Sequence, residues 1–247
     1  MKRFFYLMFP LMMVNLSLMK GQDSSTGRGI INTSSKGLNN HFYGLKMGMS
    51  VATQSWSGFE VSPLISVHAG ATMEFVSNWR DRTGSGRFKK NSLVIQLGYH
   101  RKGSAFRNVF ETRTGTVIST PMNEFHNICL TGYGKRIFRI NKMSQAYFGY
   151  GLQISGTVAE KIEGFSRING VQRFNAGLFL GGGYEFKLNK APITYYVELS
   201  FNPDITDQFL VAPGSYTDPQ SGLNMETPEQ RVKNLNIDLS VGIKFGK

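Results

Sequence analysis

Four histidines, one cysteine and a few carboxylates hold whatever reactive chemistry this 247-residue chain possesses. His68 and His100, with Glu74 and Glu198, are the residues that a general acid–base pair would need, since an imidazole beside a carboxylate can carry a proton in either direction. His41 and His126 complete the set. A metal site asks for three or four converging ligands. No His, Cys, Asp and Glu spacing in the chain supplies one, so neither metal nor cofactor is expected. Cys129 stands alone and reads as a small packing residue rather than a nucleophile. "GYGKR" (132–136) and "GGGY" (181–184) lack the full spacing of a phosphate loop and precede no helix. No Gly-x-Ser-x-Gly stretch occurs. The expectation is a non-enzyme in which His and carboxylate pairs satisfy one another in an interior.

That interior has to be built by strands. Apolar and polar residues alternate in eight segments, the signature of strands with two unlike faces. They are 43–51 (YGLKMGMSV), 65–75 (ISVHAGATMEF), 93–100 (LVIQLGYH), 125–134 (FHNICLTGYG), 146–156 (AYFGYGLQISG), 174–186 (FNAGLFLGGGYEF), 193–201 (ITYYVELSF) and 235–245 (LNIDLSVGIKF). The fourth has the least regular alternation. The polar faces are mainly Gly, Ser, Asn and Gln, with a few long charges: Lys46, Glu74, Glu185, Glu198, Asp238 and Lys244. Small residues and a few pairable charges suit the narrow lumen of an eight-stranded barrel better than a water-facing surface. The apolar faces would then meet lipid, with Tyr99, Tyr184, Phe186, Phe201 and Phe245 as an aromatic girdle. Strands of about 9–11 residues suffice to cross a bilayer. The expected fold is all-β, an eight-stranded antiparallel transmembrane β-barrel with an up-and-down meander. A soluble β-barrel is the competing reading.

The connections carry a second signal. Outer loops are expected at about 53–63, 101–123, 157–173 and 202–233, and periplasmic turns at about 77–91, 135–144 and 187–191. Alternating long and short connections are characteristic of outer-membrane barrels. At the N-terminus, Lys2 and Arg3 precede an apolar run from Phe4 to Met19 that is short and interrupted by Pro10, so residues 1–22 read as a secretory signal peptide. Residues 23–40 are Ser-, Gly- and Asn-rich and read as a flexible polar leader, leaving 41–247 for the barrel. A single cysteine closes no intrachain disulfide. No apolar run after residue 22 is long enough for a transmembrane helix. The expected location is the outer membrane of a Gram-negative bacterium.

Charge is unevenly placed. The chain has 28 basic and 16 acidic residues. The periplasmic connections hold Arg80, Arg82, Arg87, Lys89, Lys90, Lys135, Arg136, Arg139, Lys142, Lys187 and Lys190 against Asp81 alone. The last outer loop is acidic instead, with Asp204, Asp207, Asp218, Glu226 and Glu229. A basic rim attracts anionic headgroups or an acidic protein. Nucleic acid is not an expected partner, since no aromatic–basic pattern accompanies the charge. The loop 201–233 also carries Phe209, Leu210, Val211 and Tyr216, an apolar patch that would fold over the barrel mouth or dock a partner.

"YHRKGSAF" (99–106) resembles the Tyr-x-x-Lys-Gly stretch that ends the third strand of small Bacteroidota outer-membrane barrels. "NAGLFLGGGYEF" (175–186) is similar to their Gly-x-x-x-Gly-x-Gly-x-Glu-Phe strand, and "NLNIDLSVGIKF" (234–245) to their closing strand. Together these resemble the PorT-like family over about residues 41–245. The family's usual fourth-strand proline after Ile is Cys129 here, and Phe245 is followed by Gly246 and Lys247. The resemblance implies a component or accessory of type IX protein secretion. Outer-membrane lipid and proteins of a secretion apparatus are the expected partners, and the charge and loop pattern offers Arg80, Arg82, Arg87, Lys89, Lys90, Lys135, Arg136, Arg139, Phe209 and Tyr216 as candidate contacts. A surface ligand-binding or adhesion barrel is the alternative, and a membrane-embedded hydrolase using His68 and His100 a third.

Overall fold

A computed structural model of the chain describes residues 40–56, 61–77, 89–106, 108–112, 115–119, 122–162, 168–187, 193–217 and 224–246. The signal-peptide segment and nearly all of the polar leader lie outside them. The described residues contain no helix. Eight long strands form the body: β1 (Asn40–Ser55), β2 (Val61–Ser77), β3 (Lys89–Phe106), β6 (Met122–Arg139), β7 (Ser144–Ile162), β9 (Phe174–Lys187), β10 (Ile193–Pro203) and β14 (Gln230–Phe245). Between them lie short strands: β4 (Asn108–Thr112), β5 (Gly115–Ser119), β8 (Ile168–Val171), β11 (Phe209–Val211), β12 (Gly214–Thr217) and β13 (Asn224–Thr227).

Each long strand pairs antiparallel with the next, and β14 returns to pair with β1 from Tyr43↔Phe245 to Ser55↔Lys233. The sheet therefore has no free long edge. It is a closed eight-stranded antiparallel β-barrel, and closure removes the unpaired N–H and C=O groups of an open sheet.

The two faces are sorted inside out relative to a soluble fold. Met47, Val67 and Leu239 point outward and are 64 %, 69 % and 54 % exposed, while Glu198 and Asp238 point inward and are 1 % exposed. Alternation produces this directly, because every second side chain of a strand takes the same face. It also resolves the irregular fourth segment. In β6, Asn127, Cys129, Thr131, Tyr133 and Lys135 face in, while Ile128, Leu130, Arg136 and Phe138 face out.

The connections correct the simple alternation of long and short. The first outer connection is only 56–60, shorter than the turn-end connection 78–88. The strands continue past the apolar segments that marked them in sequence. The turn after β6 is likewise only 140–143, not 135–144, because β6 runs on to Arg139. Asn141 Oδ1 accepts the amides of Met143 at 2.8 Å and Ser144 at 2.7 Å, a local side-chain bond that fixes so tight a reversal. At the opposite end, the β4–β5 and β12–β13 hairpins and the β8–β11 pair elaborate the connections.

Candidate functional site

The lumen is filled by polar side chains stacked in layers along the barrel axis. Nearest the short turns, Glu74, Lys135, Glu185 and Lys244 converge from β2, β6, β9 and β14. Lys244 Nζ donates to Glu74 Oε2 at 2.8 Å and to Glu185 Oε1 at 2.6 Å. Lys135 Nζ donates to Glu74 Oε2 at 3.2 Å and also to Glu185. Two acids and two bases leave this layer neutral, the condition under which buried charge is tolerated. Above it, Lys46 Nζ meets Glu198 Oε1 at 2.7 Å, and Tyr147 donates its hydroxyl to Glu198 Oε2 at 2.8 Å. Tyr133 and Phe179 stack at 4.2 Å and, with Val94, form an apolar plug inside the wall.

The next layer holds the histidines. His68 and His100 stack nearly parallel, their ring centroids 5.1 Å apart. His100 Nδ1 lies 3.5 Å from Asp238 Oδ2, and His68 Nε2 lies 2.8 Å from Ser240 Oγ. Ser50 Oγ and Asn202 Nδ2 both donate to Asp238, at 2.5 Å and 2.7 Å. Glu74 and Glu198 do face the lumen as expected, but their partners are lysines, and the carboxylate beside the histidines is Asp238. Both histidines are buried inside the wall. Cys129 is buried as well. Among the described residues no three His, Cys, Asp or Glu side chains converge as metal ligands.

Lys102 and Asp204, within the expected outer loops 101–123 and 202–233, belong to the lumen instead. Lys102 Nζ donates to Asp204 Oδ1 at 2.7 Å, and Asn234 Nδ2 donates to Asp204 Oδ2 at 3.0 Å. Over them closes a cap. Phe209, fully buried, packs with Phe125 and Val232, with Trp56 and Val171 at the margin. β11 is clamped between β8 and the start of β14, where Phe209 faces Val171 and Val232. Phe209 is thus not a surface for a partner. Of the two roles open to the apolar patch, it folds over the mouth. Its burial there follows from its register: it sits opposite two other apolar residues above an otherwise polar column.

At the short-turn rim, Lys135 is also corrected. It is a lumen lysine locked between two glutamates, because its strand continues four residues beyond it. Arg136 points outward beside Phe138, and Arg139 is exposed. Lys89 and Lys90 lie in β3 and Tyr216 in β12, with their side chains outside the described set, as are Arg80, Arg82 and Arg87 entirely. A pocket of about 250 Å³ opens at this rim between the β6–β7 turn and the end of β9. Arg139, Lys142 and Lys187 stand around it. Among the described sequence-derived contacts, Arg139 lines this cavity, with Lys142 and Lys187 as its companions. Their shared place was hidden because they come from two separate connections.

No protein-family model and no curated protein matches the chain. Solved structures do. The outer membrane protein OprG from Pseudomonas aeruginosa is 12% identical, aligned over 85% of this chain and 99% of its own, with a TM-score of 0.45. The attachment invasion locus protein Ail of Yersinia pestis, solved with the heparin analogue sucrose octasulfate, is 13% identical over 83% and 99%, with a TM-score of 0.32. The outer membrane protease OmpT from Escherichia coli is 12% identical over 87% and 99%, with a TM-score of 0.39. At such scores the architecture rests on the strand register of this chain itself.

Proposed function

We propose that the chain is a non-enzymatic outer-membrane barrel of the PorT-like kind, serving protein secretion as an anchored component that contacts partners through its rims. The observation that carries the reading is the pairing of an apolar outer surface with a sealed lumen. An eight-stranded wall covered by Met, Val, Leu, Ile and Phe side chains has its buried polar groups inside, the arrangement that hydrocarbon demands. Tyr43, Phe138, Phe148, Phe186, Tyr195 and Phe245 lie exposed near the short-turn end, where an aromatic girdle would meet headgroups. A lumen stacked with ion pairs and capped by Phe209 passes neither a folded nor an extended chain, so the barrel is an anchor and not the conduit. Burial of His68 and His100 removes the geometry that a hydrolase would use.

Recovery in the outer-membrane fraction with heat-modifiable migration tests the location; soluble behaviour would overturn it. Deletion of the gene is expected to abolish extracellular export of secreted proteins, and normal export would refute the secretion role. A second reading, a surface-binding barrel, draws on the β4–β5 and β12–β13 hairpins at the outer end. It predicts lost surface binding without a secretion defect.

A further inference from the structure

The pocket at the short-turn mouth has features of a built recess. Its walls are tied together: Lys187 N donates to Met143 O at 2.7 Å, and Arg139 Nε donates to Asn141 O at 3.2 Å. Ile137 and Met143 give it an apolar lining. Gln145 also lines it, and its side-chain amide donates to Glu185. Glu185 is in turn taken up by Lys135 and Lys244, so the layer beneath is neutral. Among the described residues no carboxylate pairs with Arg139, Lys142 or Lys187. Among the described residues the recess is therefore a greasy hollow with three cations around it and no carboxylate paired to them, which favours an anion that also carries an apolar group.

Its position selects among such anions. Ile137 and Arg139 follow Lys135 on the lumen-facing side of β6, whereas Phe138 and Phe148, stacked at 5.8 Å, occupy the outer side. A lipid lying along those rings is on the far side of the wall. The hollow lies at the short-turn end of the lumen-facing side, between the β6–β7 turn and the end of β9. At about 250 Å³ it falls below the usual size of a small-molecule site, and it suits one side chain of a longer ligand.

We propose that this recess is a docking site for an acidic peptide segment of a partner protein, seating one apolar side chain against Ile137 and Met143 while flanking carboxylates meet Arg139, Lys142 and Lys187. The inference rests on the reading of the short-turn rim as a partner-facing end, and it names the chemistry of that partner.

The test uses the full chain in phosphatidylcholine nanodiscs and a fluorescent peptide with one leucine flanked by two acidic residues on each side. Saturable binding is expected, weakening about tenfold in Lys142→Glu and in Lys187→Glu, and with added salt. Replacing the leucine by serine should weaken it several-fold, and replacing the acids by their amides should abolish it. Both variants lie outside the strand ladders or at their last residue, and heat-modifiable migration confirms that each is folded. No binding by the wild type, or binding by either variant as tight as by the wild type, overturns the proposal. Selective retention of phosphatidylglycerol by the wild type and not by the variants, without peptide binding, assigns the recess to lipid and overturns it too. Failure of peptide binding leaves the export phenotype of the deletion untouched, so the two readings fail separately.

Discussion

Lys46 Nζ reaches Glu198 Oε1 at 2.7 Å although β1 and β10 are not neighbours, β14 lying between them. The contact bridges over the inner face of β14 and ties the wall through its interior as well as around its ladder. Removing one partner leaves an uncompensated buried charge. Lys46→Met is therefore expected to cost about 3–5 kcal/mol. The double variant Lys46→Met with Glu198→Gln should recover a large part of that loss. Urea titration of folded barrel in detergent, read by gel migration, checks both.

The lipid face makes a depth-dependent prediction. Leu239 sits at mid-strand on the outside, and Phe245 at the rim. Leu239→Arg should destabilise the inserted barrel by about 2–4 kcal/mol, and Phe245→Arg by no more than about 1 kcal/mol. Refolding into lipid vesicles at graded urea measures the difference. Equal tolerance at the two positions would argue for a water-facing surface.

At the outer mouth, Phe209→Ala empties the centre of the cap formed with Phe125 and Val232. A loss of about 3–5 kcal/mol is expected from the cavity. Amide hydrogen exchange should accelerate in β11 and at the start of β14. Planar-bilayer recordings should still show no steady ion current, because the Lys102–Asp204 layer lies beneath the cap.

Gly103 is the glycine of the "YHRKG" stretch, and it takes φ +143°, where a side chain is strained. A Cβ there would come within 1.8 Å of the Asn123 carbonyl oxygen on β6. Gly103→Ala is expected to lower stability by about 1–3 kcal/mol. Gly132→Ala, where the added carbon meets nothing within 4 Å, should be nearly neutral. Parallel urea midpoints separate the two.

Most of the barrel was legible because alternation is a local property. Leu235 to Phe245 state their two faces residue by residue, and the lumen charges Lys46, Glu74, Glu185, Glu198, Asp238 and Lys244 could be placed from strand parity alone. What parity does not mark is where a strand stops. Lys135 and Lys102 fell into supposed connections because the apolar rhythm fades before the ladder ends. At those heights the inner face still needs a cation, and hydrogen bonding continues regardless of side-chain greasiness. For Phe209 sequence alone leaves two roles open, capping the mouth or meeting a partner, for a different reason. Its burial depends on Val171 and Val232, neither adjacent in sequence, and only the folded loop brings the three together. The pocket among Arg139, Lys142 and Lys187 was equally out of reach, since it needs two separate connections at one rim.

Closure of β14 onto β1 also sets an order of events. Ser50 and Asp238, hydrogen-bonded across that seam, stand 188 positions apart in the chain. Pairing over such a distance comes late in folding. Until residues 230–245 arrive, β1 and β10 both present long unpaired edges, each a template for another unfinished copy. Shortening the chain by its last strand would therefore yield aggregation-prone sheets rather than a smaller barrel.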